Sequence, residues 1–335
     1  MGKILVPTDG MNDLLRKTAS SNRAEAAQAT EQFLAHAVEG PLRKGIMSGD
    51  ILGGVWVSEV LSPGARPEYP LDFLAPGTEK DFVAYTIPNH GAIPERHVEG
   101  DYVMVPTYRV GNSIDWNLKY AREARWNIVA RAMQVLEDGF VKKLNDDGWH
   151  TILTAGVDRN IVVYDSDATA GLFTKRLVSL MKVVMRRNGG GNSTSVNRGA
   201  LTDIFLSPEG IEDVRNWGVD IVDEITRREL FLADDNSINR IFQVNLHPLD
   251  ELGEGQEYQD FFTDELSGSL ESSDVELVVG LDLRDNQNVF VQPVAEPLSM
   301  FEDHNMHRQG RHGWYGWLET GFGVLDNRRV ILGSY

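Results

Sequence analysis

The densest group of side chains able to ligate or titrate is Glu302-Asp303-His304-Asn305-Met306-His307, followed closely by Arg311 and His312. On a helix, His304 and His307 would share a face and, with a nearby acid, hold a divalent metal; in extended chain they would point to opposite sides. A polar turn between two strands is the plainer reading of the same residues. No Gly-x-Ser-x-Gly elbow, His-Glu-x-x-His pair, Gly-x-Gly-x-x-Gly loop or kinase signature occurs. The chain has no cysteine, which removes thiol nucleophiles, disulfides and thiolate metal sites. Asn188-Gly189-Gly190-Gly191-Asn192-Ser193 has the glycine content of a phosphate cradle, but a cradle needs a strand before it and a helix after it. Here the loop follows a helical pattern, so it reads as a C-cap and connection. Trp314, Tyr315, Trp317 and Phe322 have the faces to stack on a sugar or base, yet aromatics alternating along a strand read first as core or interface. His36, His90, His97, His150 and His247 stand alone.

These groups are carried by a chain of 335 residues with 41% hydrophobic residues and a formal net charge of −18. That length predicts two domains, or one with long extensions. Such acidity argues against a dedicated nucleic-acid binder. Arginines outnumber lysines 23 to 9, a hint of bidentate pairs across interfaces. No apolar run is long enough to span a membrane, and the N-terminal apolar patch is too short for a secretory signal.

One element dominates the positioning. Asn112 to Asn145 reads as a single long helix, capped by Asn112 or Ser113 and stopped by Asn145-Asp146-Asp147-Gly148. Its row is Leu118, Arg122, Arg125, Val129, Ala132, Met133, Leu136, Phe140 and Leu144, apolar except for the two arginines. Before it, residues 1–48 contain one aromatic and cannot build a core alone. Ile51–Leu61, Asp81–Ile87 and Tyr102–Val110 read as strands of a ribbon separated by Pro63, Pro67, Pro70, Pro76, Pro88 and Pro94. After it, Thr151–Thr154 and Asn160–Tyr164 look like strands, and Leu172–Arg187 like a second amphipathic helix. Thr202–Leu206 reads as a strand entering a helix at Ser207-Pro208, with Ile211, Val214 and Trp217 facing inward. A further helix is expected over Asp220–Leu230.

Residues 241–283 hold eleven acids and no lysine or arginine, which predicts a solvated loop, since no calcium-loop spacing is present. Val275–Leu283 and Val289–Val294 read as a hairpin. Trp314–Leu318 and Val330–Leu332 read as closing strands.

Three stretches carry a resemblance to the major capsid proteins of tailed bacteriophages with the Hong Kong 97-type fold. They are Ser113-Ile-Asp-Trp-Asn-Leu-Lys-Tyr-Ala-Arg-Glu123, Thr202-Asp-Ile-Phe-Leu-Ser-Pro-Glu-Gly-Ile-Glu-Asp-Val-Arg215, and Arg308 to Val330. The order of parts covers the whole chain. The resemblance implies an α+β fold with an N-terminal arm (1–48) and an extended β-ribbon loop (49–111). A peripheral domain with the long spine helix follows (112–155 and 284–325), then an axial domain whose β-sheet is flanked by helices (156–283 and 326–335). It implies a structural protein, not an enzyme and without a cofactor, that assembles into pentamers and hexamers of an icosahedral shell around double-stranded DNA. Scaffold, portal and decoration proteins are its implied partners; a membrane is not. The implied location is the virion, with assembly in the host cytoplasm.

The chain enters the arm almost directly, so scaffold is expected as a separate protein or as a segment already removed. Some relatives cross-link their ribbons through a lysine. Lys80 lies near the expected ribbon tip, but no partner asparagine stands out, so monomers of 37 kDa are expected on denaturing gels. Lys80, Arg122, Arg125, Trp314 and Trp317 are the interface candidates. Two other readings remain: a shell of the encapsulin type around a cargo enzyme, and a metal-dependent enzyme using His304 and His307.

Overall fold

The computed structural model describes residues 9–18, 28, 29, 32, 54–71, 101–123, 126–188, 199–217, 240–270, 276–284, 289–303 and 309–335. The chain divides into two units: one from Met1–Glu68, Met104–Gly148 and Phe290–Gly323, the other from Tyr69–Val103, Trp149–Val289 and Val324–Tyr335.

The elements begin with helix α1 (Asp9–Thr18), strands β1 (Val57–Val60), β2 (Glu68–Leu71), β3 (Asp101–Met104) and β4 (Tyr108–Asn117), and helices α2 (Leu118–Arg122) and α3 (Trp126–Val157). The long helix is real, but its start and end differ from expectation. Asn112 and Ser113 lie inside β4, which pairs through all ten residues with a later strand, from Tyr108↔Thr320 to Asn117↔Arg311. Val110 and Trp116 on its inward side are buried, a period of two that outweighs local helix signals. Asn117 meets the turn instead, its Oδ1 accepting from the Lys119 amide at 2.9 Å.

At the other end α3 runs straight through the expected stop. Asp147 is held by Lys143 at 2.7 Å one turn earlier and by the Tyr108 hydroxyl at 2.7 Å, while Trp149, Ile152 and Leu153 are fully buried. Burial of those three overrides the Asn-Asp-Asp-Gly signal, and Thr151–Thr154, expected as a strand, is helix. Its 32 residues make a rod of about 48 Å at about 1.5 Å per residue.

The chain continues through β5 (Val162–Tyr164), α4 (Lys175–Asn188), β6 (Asp203–Leu206), α5 (Pro208–Asn216), β7 (Arg240–Ile241) and β8 (Val244–Pro248). Then come α6 (Glu257–Asp260) with a π-turn (Phe261–Glu265), β9 (Leu277–Leu281), β10 (Phe290–Glu302), β11 (Arg311–Thr320), β12 (Gly323–Val324) and β13 (Val330–Ser334). The first unit holds a sheet ordered β1-β10-β11-β4, and the second a six-stranded sheet ordered β5-β13-β9-β6-β8-β7; β2 and β3 pair as a ribbon. The expected 275–294 hairpin does not form, because β9 and β10 belong to different sheets. The acidic stretch is no loop either: β8 and β9 lie within it as inner strands.

Alternation sorts the six-stranded sheet into two layers. Ile204, Leu206 and Ile331 join Leu177, Val178 and Met181 of α4 and Ile211, Val214 and Trp217 near α5 in one core. Phe205 and Leu332 point the other way, Phe205 edge-on to Trp149 at 4.8 Å and Leu332 against Gly156. Ser207 caps α5 with Pro208 at its first position, as the sequence predicts, accepting from the Gly210 amide at 3.1 Å. The expected strand at Asp81–Ile87 and helix at Asp220–Leu230 lie outside the described residues.

Candidate assembly surfaces

One face of the β1-β10-β11-β4 sheet is closed by α3. Met133, Leu136, Phe140 and Leu144 meet Val110, Trp116, Leu298, Met300, Trp314 and Leu318, with Leu15 of α1 in the same core. Residues pointing the other way on these strands build a different surface. Phe301 stacks on Tyr315 (5.7 Å, 28°) and on Trp317 (4.7 Å, 28°), while Tyr315 and Trp317 tilt together at 5.7 Å. The Arg109 guanidinium lies 6.0 Å from the Trp317 ring and pairs with Glu319 at 3.1 Å and Glu296 at 3.6 Å. Trp317 Nε1 donates to Glu296 at 3.1 Å. Phe301 remains 39% exposed. Aromatic rings framed by satisfied polar groups make a platform of the composition found in protein interfaces.

Two further surfaces are open. All four residues of the edge strand β1 are exposed, and in β3 Tyr102 and Met104 stand 66% and 60% exposed. Apolar side chains on an edge strand and on a two-stranded ribbon invite pairing with another chain.

The named candidates fare unevenly. Trp314 is buried at 1% exposure, edge-on to Trp116 at 4.7 Å, so it is a core residue and not a contact. Trp317 lies on the platform. Arg122 is exposed at the end of α2. Lys80, Arg125, His304 and His307 lie outside the described residues. Among the described residues no group of three or more His, Asp or Glu is placed to hold a metal. His312 is buried beside Trp116, its Nε2 3.5 Å from Glu302. Phe301 and Arg109 were not singled out from sequence, because only the register Phe301↔Tyr315 and Arg109↔Glu319 brings them to Trp317.

In the second unit the buried polar groups are structural. Asp282 accepts both prongs of Arg284 at 2.8 Å, Arg329 at 2.8 Å and the Ala200 amide at 3.0 Å, tying the turn before β13 to β9. The Ser207 hydroxyl meets the Tyr335 hydroxyl at 2.7 Å and also bonds Glu276. Burial, with the nearby Glu276, pushes the Tyr335 phenol up, so it stays a neutral donor. Asp203 accepts from Asn245 at 2.9 Å and from His247 Nε2 at 2.8 Å. Burial pushes its carboxyl up, but the bonds from His247, Asn245 and Thr202 outweigh that and hold it below the usual carboxylate range.

No protein-family model matches the chain, and no curated protein matches it by sequence. Solved structures do. A protein of Microbacterium phage Oxtober96 shares 8% identity at a TM-score of 0.58, over 85% of this chain and 90% of that one. The Cyanophage Pam1 capsid asymmetric unit shares 12% at 0.55, over 83% and 88%. The head structure of Helicobacter pylori bacteriophage KHP40 shares 9% at 0.51, over 83% and 86%. The chain has the α+β, Hong Kong 97-type fold of phage capsid structures.

Proposed function

We propose that this chain is a major capsid protein: a structural subunit that assembles with copies of itself into pentamers and hexamers of a closed icosahedral shell around double-stranded viral DNA. One observation carries the reading. Most of the chain, and most of each phage head or capsid structure it matches, superimpose as a single fold. The platform of Phe301, Tyr315 and Trp317, the β1 edge, unpaired among the described residues, and the exposed β3 ribbon support it, because three surfaces of this kind on one subunit suit heterologous contacts that close into rings. On this reading the unit containing β10, β11 and the first part of α3 is the peripheral domain, and the unit with the six-stranded sheet is the axial domain. Residues 1–48 serve as an arm that leaves Leu15 in the core of the first unit, and the β2–β3 part of 49–111 serves as a ribbon over neighbouring copies, since β1 and the start of β4 belong to the first unit's sheet. Scaffold and portal proteins join during assembly in the host cytoplasm, decoration proteins bind the finished shell, and no catalysis is required. Electron microscopy of the expressed protein tests this directly. Closed shells or capsomers are expected; discrete monomers or dimers would overturn the reading.

A further inference from the structure

Both faces of the six-stranded sheet are covered, so what it offers a neighbour lies at its two edges. At one edge β7 and β8 form a hairpin with Ile241 paired to Val244, which leaves Phe242 and Gln243 as a two-residue loop. Both sit at positive φ, 50° and 65°. A type I′ loop needs that conformation at both positions and ordinarily takes Asn-Gly there, because a Cβ makes it costly. Phe242 adopts it and still leaves its ring 48% exposed at the tip. The Lys182 ammonium pins the loop from α4, donating to the Phe242 carbonyl at 2.6 Å. A strained position that displays an aromatic ring points to a role for the ring beyond the fold of its own copy.

At the other edge a pocket of about 260 Å³ lies past the C-terminal ends of β5 and β13, beside the loop that leads into α4. Tyr164, Ala168, Ala170, Leu172, Leu177 and Tyr335 line it. Tyr164 and Leu172 are 44% and 48% exposed. The pocket's carboxylate and its buried phenol already have partners. Asp165 accepts from the Thr174 hydroxyl at 2.9 Å and the Asp167 amide at 3.2 Å, and pairs with Arg176 at 3.4 Å. The Tyr335 hydroxyl is bonded to Glu276 at 2.8 Å and to Ser207 at 2.7 Å. What is left to meet an occupant is chiefly apolar, and the space exceeds the roughly 150 Å³ that holds a benzene ring.

We propose that Phe242 of one copy seats in this pocket of the next copy, a head-to-tail contact through the six-stranded sheets. The proposal rests on the capsid reading for its partner. Knob and pocket cannot meet within one chain. They belong to the two outer strands of six, roughly 24 Å apart at about 4.8 Å per strand. They also lie at opposite ends of the sheet, since β8 and β5 run the same way. A projecting group and its receptor on different parts of one surface make a heterologous contact, which closes into a ring when its rotation allows.

The test uses the full-length chain and the protein concentration at which shells appear in light scattering and electron microscopy. Phe242→Asn supplies the residue that a type I′ loop prefers, so the hairpin stays and the ring goes. It should melt at or above the parent, while the threshold concentration rises about tenfold or more, the loss of one buried ring per contact. Ala170→Trp fills the pocket from an exposed position, and should raise the threshold with melting unchanged. The double variant should be no worse than either single one, because both remove the same contact.

An unchanged threshold in Phe242→Asn overturns the proposal. So does a lower melting temperature for it, which would make the ring a packing residue of its own copy. If Ala170→Trp alone impairs assembly, the pocket holds another part of the neighbour or a different protein, and the proposal falls. Additive losses in the double variant would place knob and pocket in separate contacts and overturn it too. The parent decides the capsid reading. Open chains in place of shells, dispersed by Phe242→Asn, would refute that reading and leave the knob standing. Parent shells with an unmoved threshold would do the reverse.

Discussion

The six-stranded sheet is covered on both faces, by α4 and α5 on one and by the end of α3 with α6 on the other. Among the described residues, the β1-β10-β11-β4 sheet has a helix on one face only. The difference shows in the strands themselves. Leu277-Val-Val-Gly-Leu281 and Val330-Ile-Leu-Gly-Ser334 are buried at every position, as strands between two layers must be. In β11, buried Trp314, Gly316 and Leu318 alternate with part-exposed Tyr315 and Trp317. The doubly covered sheet has satisfied its apolar surface within the chain. Among the described residues, the half-covered one leaves the part-exposed rings of Phe301, Tyr315 and Trp317 on its other face.

The largest effect should come where unit one depends on a single element. Met133 sits in the stripe that closes the spine side of the sheet. Met133→Pro removes a helix hydrogen bond and clashes with the preceding turn, costing about 3 kcal/mol or more. Shells should be lost in microscopy, with a lower melting temperature; normal particle yield would show that α3 does not hold this unit together.

Unit two should be intolerant for the opposite reason, because it is already full. A Cβ at Gly156 would sit 2.8 Å from Leu332 Cγ, a branched core side chain held between α3 and β13. Gly156→Ala is expected to cost about 1–3 kcal/mol by overpacking, read as a lower denaturation midpoint. No cost would mean that this layer is looser than its burial implies.

The platform separates folding from assembly. Phe301→Ser with Trp317→Ser removes two part-exposed rings and the Trp317 bond to Glu296, so each monomer should lose about 2–4 kcal/mol and still fold. Yet particle yield should collapse if a neighbouring copy covers that face. Normal shells from this variant would remove the platform from the assembly surfaces.

A smaller, pH-dependent effect belongs to unit two. The Asp203 carboxyl is held below its ordinary range, so its contribution is present above the unfolded carboxylate value and is lost as pH falls through the lower folded value. Melting temperature should decline on the acid side, and Asp203→Asn should flatten that decline. An unaltered acid limb would show that the His247 and Asn245 bonds carry no net stability.

Much of this was legible in the residues because local signals agreed with their setting. Ser207-Pro208 after an apolar strand marked the start of α5, and the amphipathic pattern of Leu172–Arg187 marked α4. The errors came where long-range pairing overrode local signals. Asn112 and Ser113 look like caps until ten pairs with β11 claim them. Asn145 to Gly148 looks like a stop until Trp149 and Ile152 are buried beyond it. The platform was only half legible: Tyr315 and Trp317 stood out as alternating aromatics, but Phe301 and Arg109 did not. Phe301, Arg109 and Trp317 are distant in sequence, and only strand register makes them one surface.

The smallest predicted change tests the same contrast inside one helix. Gly139 lies in α3 where β4 crosses closely, and a Cβ there would fall 2.6 Å from Asn112 Nδ2. Unlike Leu332, that atom is the free end of a side chain, and its bond to the Leu136 carbonyl is long at 3.4 Å. Moving it forfeits about 0.5–1.5 kcal/mol at most. Alanine in place of a mid-helix glycine returns about 1 kcal/mol. The two terms nearly cancel, so Gly139→Ala should leave the denaturation midpoint almost unchanged while Gly156→Ala lowers it. Equal losses from both would mean that the seam between strand and helix in unit one is packed as tightly as the doubly covered sheet, and coverage would no longer separate the two units.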